Sequence, residues 1–146
     1  EEKVRNIRTN STIHADGFIF GRNPARIGGG YTVVDEFGNL LVRENVFKEN
    51  FTNNEAELLA VAKAIDLSKL NGLVITDSKT VLGWLRRGKS KNRSDLDEII
   101  LQCQSLMNSK RVRVRFRRRQ NNLAGIYNEQ NPPQAEAKGG GNGQTD

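Results

Sequence analysis

Three carboxylates stand where a purely structural chain has little use for them. Asp16 ends the short segment Thr12-Ile13-His14-Ala15-Asp16 just before Gly17, Glu57 lies near the start of an amphipathic segment, and Asp77 follows the apolar run Leu73-Val74-Ile75-Thr76. Ligands of open α/β sheets gather at the carboxyl ends of strands, so Asp77 is placed for a site. The chain has one His (His14) and one Cys (Cys103), which excludes an internal disulfide and a Cys-based zinc centre. Oxygen donors alone favour hard cations such as Mg²⁺ or Mn²⁺. Each acid also has an ordinary use: Asp16 in a turn, Glu57 as a first-turn acid in the helix dipole, Asp77 as a helix cap.

Charge indicates what such a site would meet. The chain has 23 Lys and Arg against 17 Asp and Glu, a net charge of +6. Residues 86–93 hold five bases (Arg86, Arg87, Lys89, Lys91, Arg93) and residues 110–119 hold seven, with no acid in either block. Outside them eleven bases face seventeen acids, a net −6. An acidic body with two basic patches suits an extended polyanion such as nucleic acid, although basic runs also serve as plain solvated faces.

The elements that must position these groups follow from pattern. A strand begins at Thr12 and gives way to a loop containing Gly21, Asn23 and Pro24 that ends in Gly28-Gly29-Gly30. Tyr31 to Val34 and Leu40 to Val42 flank Asp35-Glu36-Phe37-Gly38-Asn39 and form a hairpin. Thr52-Asn53-Asn54-Glu55 is a capping box that opens a helix with Leu58, Val61, Ala62 and Ile65 at helical spacing. Leu73 to Thr76 is a buried strand, and a short helix spans Lys79 to Leu85. Ser94 caps a further helix with apolar positions from Leu96 to Met107. Arg111 to Arg117 alternates arginine with Val112, Val114 and Phe116, a strand with one cationic face. Asn121 to Gln130 reads as a helix interrupted by Gly125 and stopped by Asn131-Pro132-Pro133. The result is an α/β domain over residues 11–131, whose mixed five-stranded sheet joins an antiparallel meander to two parallel strands flanked by helices. Residues 1–10 form a polar lead-in and residues 132–146 a disordered tail. At 146 residues and a mean hydropathy of −0.64, one soluble domain fits. No run reaches the roughly 20 apolar residues of a membrane helix, and no signal peptide opens the chain, so the expectation is a monomeric, cytoplasmic protein without a membrane partner.

Taken together, Asp16-Gly17 with Asn23-Pro24 and Gly28-Gly29, then Thr52-Asn53-Asn54-Glu55-Ala56-Glu57-Leu58, then Thr76-Asp77-Ser78, resemble the successive motifs of ribonuclease H of type 1. The resemblance covers roughly residues 11–130, and its three-motif combination is far more specific than any single motif. It implies the RNase H-like fold and a metal-dependent endonuclease that cuts the RNA strand of RNA–DNA hybrids to 5′-phosphate and 3′-hydroxyl ends. It implies two Mg²⁺ or Mn²⁺ ions across the scissile phosphate, one activating water and the other stabilising the departing 3′-oxygen. Asp16, Glu57 and Asp77 would be the first three ligands, with Asp16 bridging both ions. Asn53 and Asn54 match positions that touch the hybrid near its minor groove, where 2′-hydroxyls distinguish RNA from DNA. Asn23 matches another contact, and Gly17, Ser78, Arg118, Arg119 and Asn121 complete the motif contacts. Arg86, Arg87 and Lys89 stand where some relatives carry a longer basic protrusion that grips the DNA strand. Double-stranded RNA is a second candidate partner.

The fourth motif departs. Arg118-Arg119-Gln120-Asn121-Asn122-Leu123-Ala124-Gly125 resembles a segment that ends in Ala-Asp, yet the aspartate position is Gly125. Three explanations stay open. Glu129, four residues on, would share Gly125's helix face and reach back as a surrogate ligand; three carboxylates would hold the ions with phosphate and water; or the chain is a non-catalytic hybrid- or dsRNA-binding module. The loop histidine common in the family is missing, and His14, on the same strand face as Asp16, reads as a structural histidine. Trp84 reads as packing beneath the basic loop.

Overall fold

The computed structural model describes residues 11–135. Five strands form one sheet in the order β3-β2-β1-β4-β5: β1 (Thr12–Ile19), β2 (Gly28–Asp35), β3 (Leu40–Phe47), β4 (Leu73–Thr76) and β5 (Arg113–Phe116). The first three make the antiparallel meander, while β4 runs parallel to both β1 and β5. Among the described residues four α-helices flank the sheet: α1 (Asn53–Leu67), α2 (Lys79–Arg87), α3 (Asp97–Lys110) and α4 (Leu123–Gln130). This is the RNase H-like arrangement expected from the motif order. The lead-in of residues 1–10 and most of the expected tail lie outside the described residues.

Alternation along β1 divides the molecule. Ile13 and Ala15 join Val33, Val74 and the α1 residues Leu58, Val61 and Ile65 in the core, while His14 and Asp16 carry bonds to the α4 segment. Trp84 is 5% exposed and packs in this core with Leu85, Leu96, Ile100 and Cys103, as expected. The carboxyl end of α1 has no basic residue of its own, and Lys110 at the end of α3 supplies one: its Nζ donates to the carbonyls of Ile65, Asp66 and Ser68 at 2.7–3.1 Å.

Several local expectations are corrected. Asp16 does not end its strand but sits within β1, opposite Thr32, because β1 runs on to Ile19. The continuation depends on Gly28-Gly29-Gly30, which opens β2 instead of closing a loop. A Cβ on Gly29 would lie 2.1 Å from the Phe18 carbonyl oxygen, and one on Gly30 would lie 2.1 Å from that of Glu44. Only glycine lets these strands close. Glu57 is the fifth residue of α1 and so lies past its first turn, since Thr52 is the cap. Ser94 caps no helix through its side chain; it begins a 3₁₀ turn, Ser94–Leu96, that leads into α3.

Candidate active site

The sequence brings three acids together by three local devices. Thr52 accepts the Glu55 N–H at 3.1 Å and fixes the start of α1, which carries Glu57 toward β1. The Gly17 N–H donates to Glu57 Oε1 at 3.1 Å, orienting that carboxylate beside Asp16. Asp77 leaves the end of β4, and Ser78 then caps α2 by accepting the Val81 N–H at 3.1 Å. One oxygen each from Asp16, Glu57 and Asp77 lies within 4.8 Å of the others.

These groups are held out of water. Asp16 is 1% exposed, Glu57 4%, and the Asp77 side chain 8%. Burial pushes the Asp16 carboxyl up to about 6, the Asn128 amide pulls it back, and the neighbouring Asp77 charge pushes it up further. Burial raises Glu57 well above the usual carboxylate range, reinforced by Asp16 and Asp77. Asp77 is raised by burial and partly restored by Arg119. Asp16 Oδ1 and Asp77 Oδ2 are buried without any hydrogen-bond partner. The Arg119 Nη1 stands 3.9 Å from the former and 3.6 Å from the latter on a half-exposed side chain, too far to bond either. Three carboxylates gathered within 4.8 Å, two of them with a buried oxygen free of hydrogen bonds and with no nitrogen or sulfur donor among them, fit a hard divalent cation.

The fourth position is built differently from a carboxylate. Gly125 faces the cluster, since a Cβ there would stand 3.8 Å from Asp16 Cγ and Oδ2. The group that meets Asp16 is Asn128, whose Nδ2 donates to Oδ2 at 2.8 Å. Glu129 is not brought into the cluster: its carboxylate is 62% exposed and accepts from Arg119 Nε at 3.4 Å. The amino end of α4 is fixed by Asn122, whose side chain accepts the Ala124 N–H at 2.9 Å and donates to the Ala15 carbonyl at 2.9 Å. His14 Nδ1 accepts the Leu123 N–H at 3.1 Å, a structural use. Burial lowers the imidazole to about 4, and Arg117 adds to the shift. Asn122 and Asn128 were missed in the sequence; Asn122 carries the residue type of a helix cap, and Asn128 lies three residues, about one turn, from Gly125.

A family profile described as "Reverse transcriptase-like" matches residues 15–126. The chain belongs to this RNase HI-like family. Its fold is similar to RNase H1 from the halophilic archaeon Halobacterium salinarum NRC-1, with a TM-score of 0.61 and 21% identity over 81% of this chain and 92% of that one. It is also similar to an N-terminal RNase H domain from Mycobacterium tuberculosis solved as a fusion with maltose-binding protein (TM-score 0.58, 26% identity, 80% and 94% covered). LC11-RNase H1, solved in complex with an RNA/DNA hybrid, gives 0.57 and 22% over 77% and 88%. No sequence among the curated proteins matches.

In this RNase HI-like chain the expected substrate contacts fall into separate places. Asn53, Asn54, Ser78 and Arg119 line one open cavity of about 380 Å³ together with Glu57 and Asp77. Asn23 lies beside it, its Oδ1 accepting the Asn53 N–H at 3.0 Å. The hydroxyl of Ser78 is engaged in capping, and Gly17 is a buried packing point against α1. Arg87 and Lys89 line a second cavity of about 630 Å³ with Ser90 and Lys91, and Arg86 is exposed at the end of α2. Asn121 lines a third, of about 560 Å³, beside His14 and Arg117, and Arg118 is exposed. No described helix is long and apolar enough to cross a membrane.

Proposed function

We propose that this chain is a metal-dependent endoribonuclease that hydrolyses the RNA strand of RNA–DNA hybrids, leaving 5′-phosphate and 3′-hydroxyl ends. The observation that carries the reading is the gathering of Asp16, Glu57 and Asp77 within 4.8 Å at one edge of an open polar cavity, with Asp16 Oδ1 and Asp77 Oδ2 buried and without a hydrogen-bond partner. Uncompensated buried carboxylates cost stability, and a binding module would gain nothing from repelling phosphate at its own surface.

Asp16, Glu57 and Asp77 would hold Mg²⁺ or Mn²⁺. Such an ion supplies a nucleophile from water near neutral pH and offsets the negative charge that builds on the phosphate. The chain's own residues do the rest. Gly17 N–H keeps Glu57 turned inward, and Asn128 keeps Asp16 in one rotamer. Asn53 and Asn54, exposed on the first turn of α1, present amides to the 2′-hydroxyls and backbone of the RNA strand. Arg86, Arg87, Lys89, Arg118 and Arg119 neutralise backbone phosphates and position the duplex without reading its sequence. Asn23 and Asn121 are further contacts of the same kind.

A non-catalytic hybrid- or dsRNA-binding module is the second reading, favoured by Gly125 at the position of the fourth carboxylate. Labelled hybrid incubated with parent and with Asp77→Asn separates them. The enzyme predicts cleavage by the parent alone, and the module predicts binding by both with cleavage by neither.

A further inference from the structure

Four arginines on and beside the last strand, Arg111, Arg113, Arg115 and Arg117, take no part in the proposed site. Val112 and Val114 enter the core, so the alternation of the strand puts Arg113, Arg115 and Arg117 together on the opposite face of the sheet, all three exposed. β5 is an outer strand, and at about 3.3 Å per residue its charges stand about 6.6 Å apart over about 13 Å. Arg111 is exposed as well and adds a charge before the row, at the left-handed cap of α3 (φ 57°), a position that favours glycine. Nothing on this face answers these charges. Leu73 and Ile75 of β4 pair with Arg113 and Arg115, and Thr12 and His14 of β1 lie beyond them. Among the described residues no carboxylate comes within ion-pair reach of Arg113, Arg115 or Arg117, whereas Arg93 is held between Glu55 and Asp95, and Arg119 stands near Asp16, Asp77 and Glu129. Like charges lined up without counter-charges repel one another and attract a polyanion.

The row has a direction. The Arg117 N–H donates to the carbonyl of Thr76, the residue before Asp77, at 2.9 Å, so the row begins at the catalytic end of the sheet, and Arg113 pairs with Leu73 at the other end of β4. At its head Arg117 shares the cavity of about 560 Å³ with Gln120 and Asn121, where the acid Glu36 accepts the Thr12 N–H at 3.3 Å. A duplex of DNA-like stiffness keeps its direction over about 150 base pairs, so one lying across the catalytic end does not turn down the edge of a sheet. A single strand does. We propose that β5 is a second nucleic-acid site, which holds the phosphates of a single-stranded RNA or DNA segment continuing from the hybrid, with Arg117, Arg115 and Arg113 meeting it in that order. No aromatic side chain stands in the row, so the contact is to backbone and indifferent to base sequence. The inference rests on the hybrid reading above and extends it beyond the duplex.

The test reads binding instead of turnover. Fluorescence anisotropy in EDTA, which keeps the RNA strand whole, compares a blunt hybrid with the same hybrid carrying an oligo-dT or oligo-rU tail on either strand. The chains are the parent, the pair Arg113→Gln with Arg115→Gln, and the pair Arg113→Lys with Arg115→Lys. The parent is expected to bind at least one tailed hybrid about tenfold more tightly than the blunt one at low salt, with a steeper salt dependence. The glutamine pair should lose that gain together with about 1.4 of the salt slope, about 0.7 for each phosphate contact, and bind the blunt hybrid as the parent does. The lysine pair should keep the gain, since charge and not shape carries it. Equal affinity of the parent for blunt and tailed hybrids would overturn the proposal, and that comparison needs no variant. A gain undiminished in the glutamine pair would also overturn it, as would equal losses on blunt and tailed hybrids, which would put these arginines on the duplex. A parent that binds neither would overturn the hybrid reading itself.

Discussion

Gly17 and Glu57 meet in a way that leaves no room for any other residue at position 17. The Gly17 N–H donates to Glu57 Oε1 at 3.1 Å, and a Cβ on Gly17 would lie 2.6 Å from the Glu57 nitrogen and 2.4 Å from the Ala56 carbonyl carbon. Both obstacles are backbone, so nothing can swing aside. The glycine of the Asp-Gly pair serves the site by letting α1 come down onto β1, which brings Glu57 beside Asp16.

Gly17→Ala is therefore expected to cost about 3 kcal/mol or more through overpacking, a fall in Tm of about 10 °C for a domain of this size. Whatever remains folded should have lost metal-dependent cleavage. Thermal unfolding with and without Mn²⁺ checks this, and a Tm within about 2 °C of the parent would show that α1 does not rest on Gly17.

The carboxylate cluster carries a stability cost that a cation should remove. Asp16 is raised to about 6, and Glu57 and Asp77 are raised as well. A raised carboxyl means that the folded state binds more protons than the unfolded one, so stability declines as pH rises from about 4 through about 6. In EDTA, Asp77→Asn should raise Tm at pH 7 by a few degrees, about 1 kcal/mol of relief, and have little effect at pH 4. Saturating Mn²⁺ should stabilise the parent at pH 7 and leave Asp77→Asn almost unmoved. An unchanged or lower Tm for Asp77→Asn in EDTA would speak against stored repulsion.

His14 titrates with the opposite sign. Its folded value of about 4 lies below the ordinary 6.5, because burial and Arg117 disfavour the charged imidazole and Nδ1 is already an acceptor. The unfolded chain binds the extra proton, so this contribution is full above about 6.5 and is lost as pH falls toward 4. His14→Asn, whose side-chain oxygen can accept from Leu123 in place of Nδ1, should flatten that part of the stability profile. The difference between parent and variant isolates it from the acids, and identical profiles would count against the assignment.

Arg119 and Glu129 are expected to separate by role. Glu129 is exposed and pairs with Arg119 at 3.4 Å, so Glu129→Gln should cut within about twofold of the parent, since exposed pairs contribute under about 1 kcal/mol. Arg119→Ala removes a guanidinium that stands near both orphaned oxygens and should weaken hybrid binding and its salt dependence. A large loss of rate in Glu129→Gln would return that residue to the metal site.

Much of this was legible in the chain because it is local. Thr52 to Glu55 announces the start of α1, the run Leu73 to Thr76 announces a buried strand, and the alternation from Arg111 to Arg117 announces the last strand. The three acids of the cluster were visible for the same reason, each attached to a strong local signal. What escaped depends on contacts between distant segments. Gly28-Gly29-Gly30 has turn composition, yet it forms a strand because Phe18 and Glu44 approach too closely for any side chain. Asn128 lies 96 residues from Thr32 and 112 from Asp16, and only the packing of α4 on β1 and β2 reveals that it, and not Glu129, meets the carboxylate.

The proposed activity makes Asp16, Glu57 and Asp77 a metal-dependent centre for cutting RNA in a hybrid. The most direct measurement is cleavage of an end-labelled RNA–DNA hybrid by the parent chain in Mg²⁺, in Mn²⁺ and in EDTA, with Asp77→Asn alongside and the product ends identified. Cleavage of the RNA strand to 5′-phosphate and 3′-hydroxyl ends is expected with either ion, with none in EDTA and a loss of at least about 1,000-fold in Asp77→Asn. Hybrid bound but uncut by the parent with both ions, or cut equally well in EDTA, would contradict it.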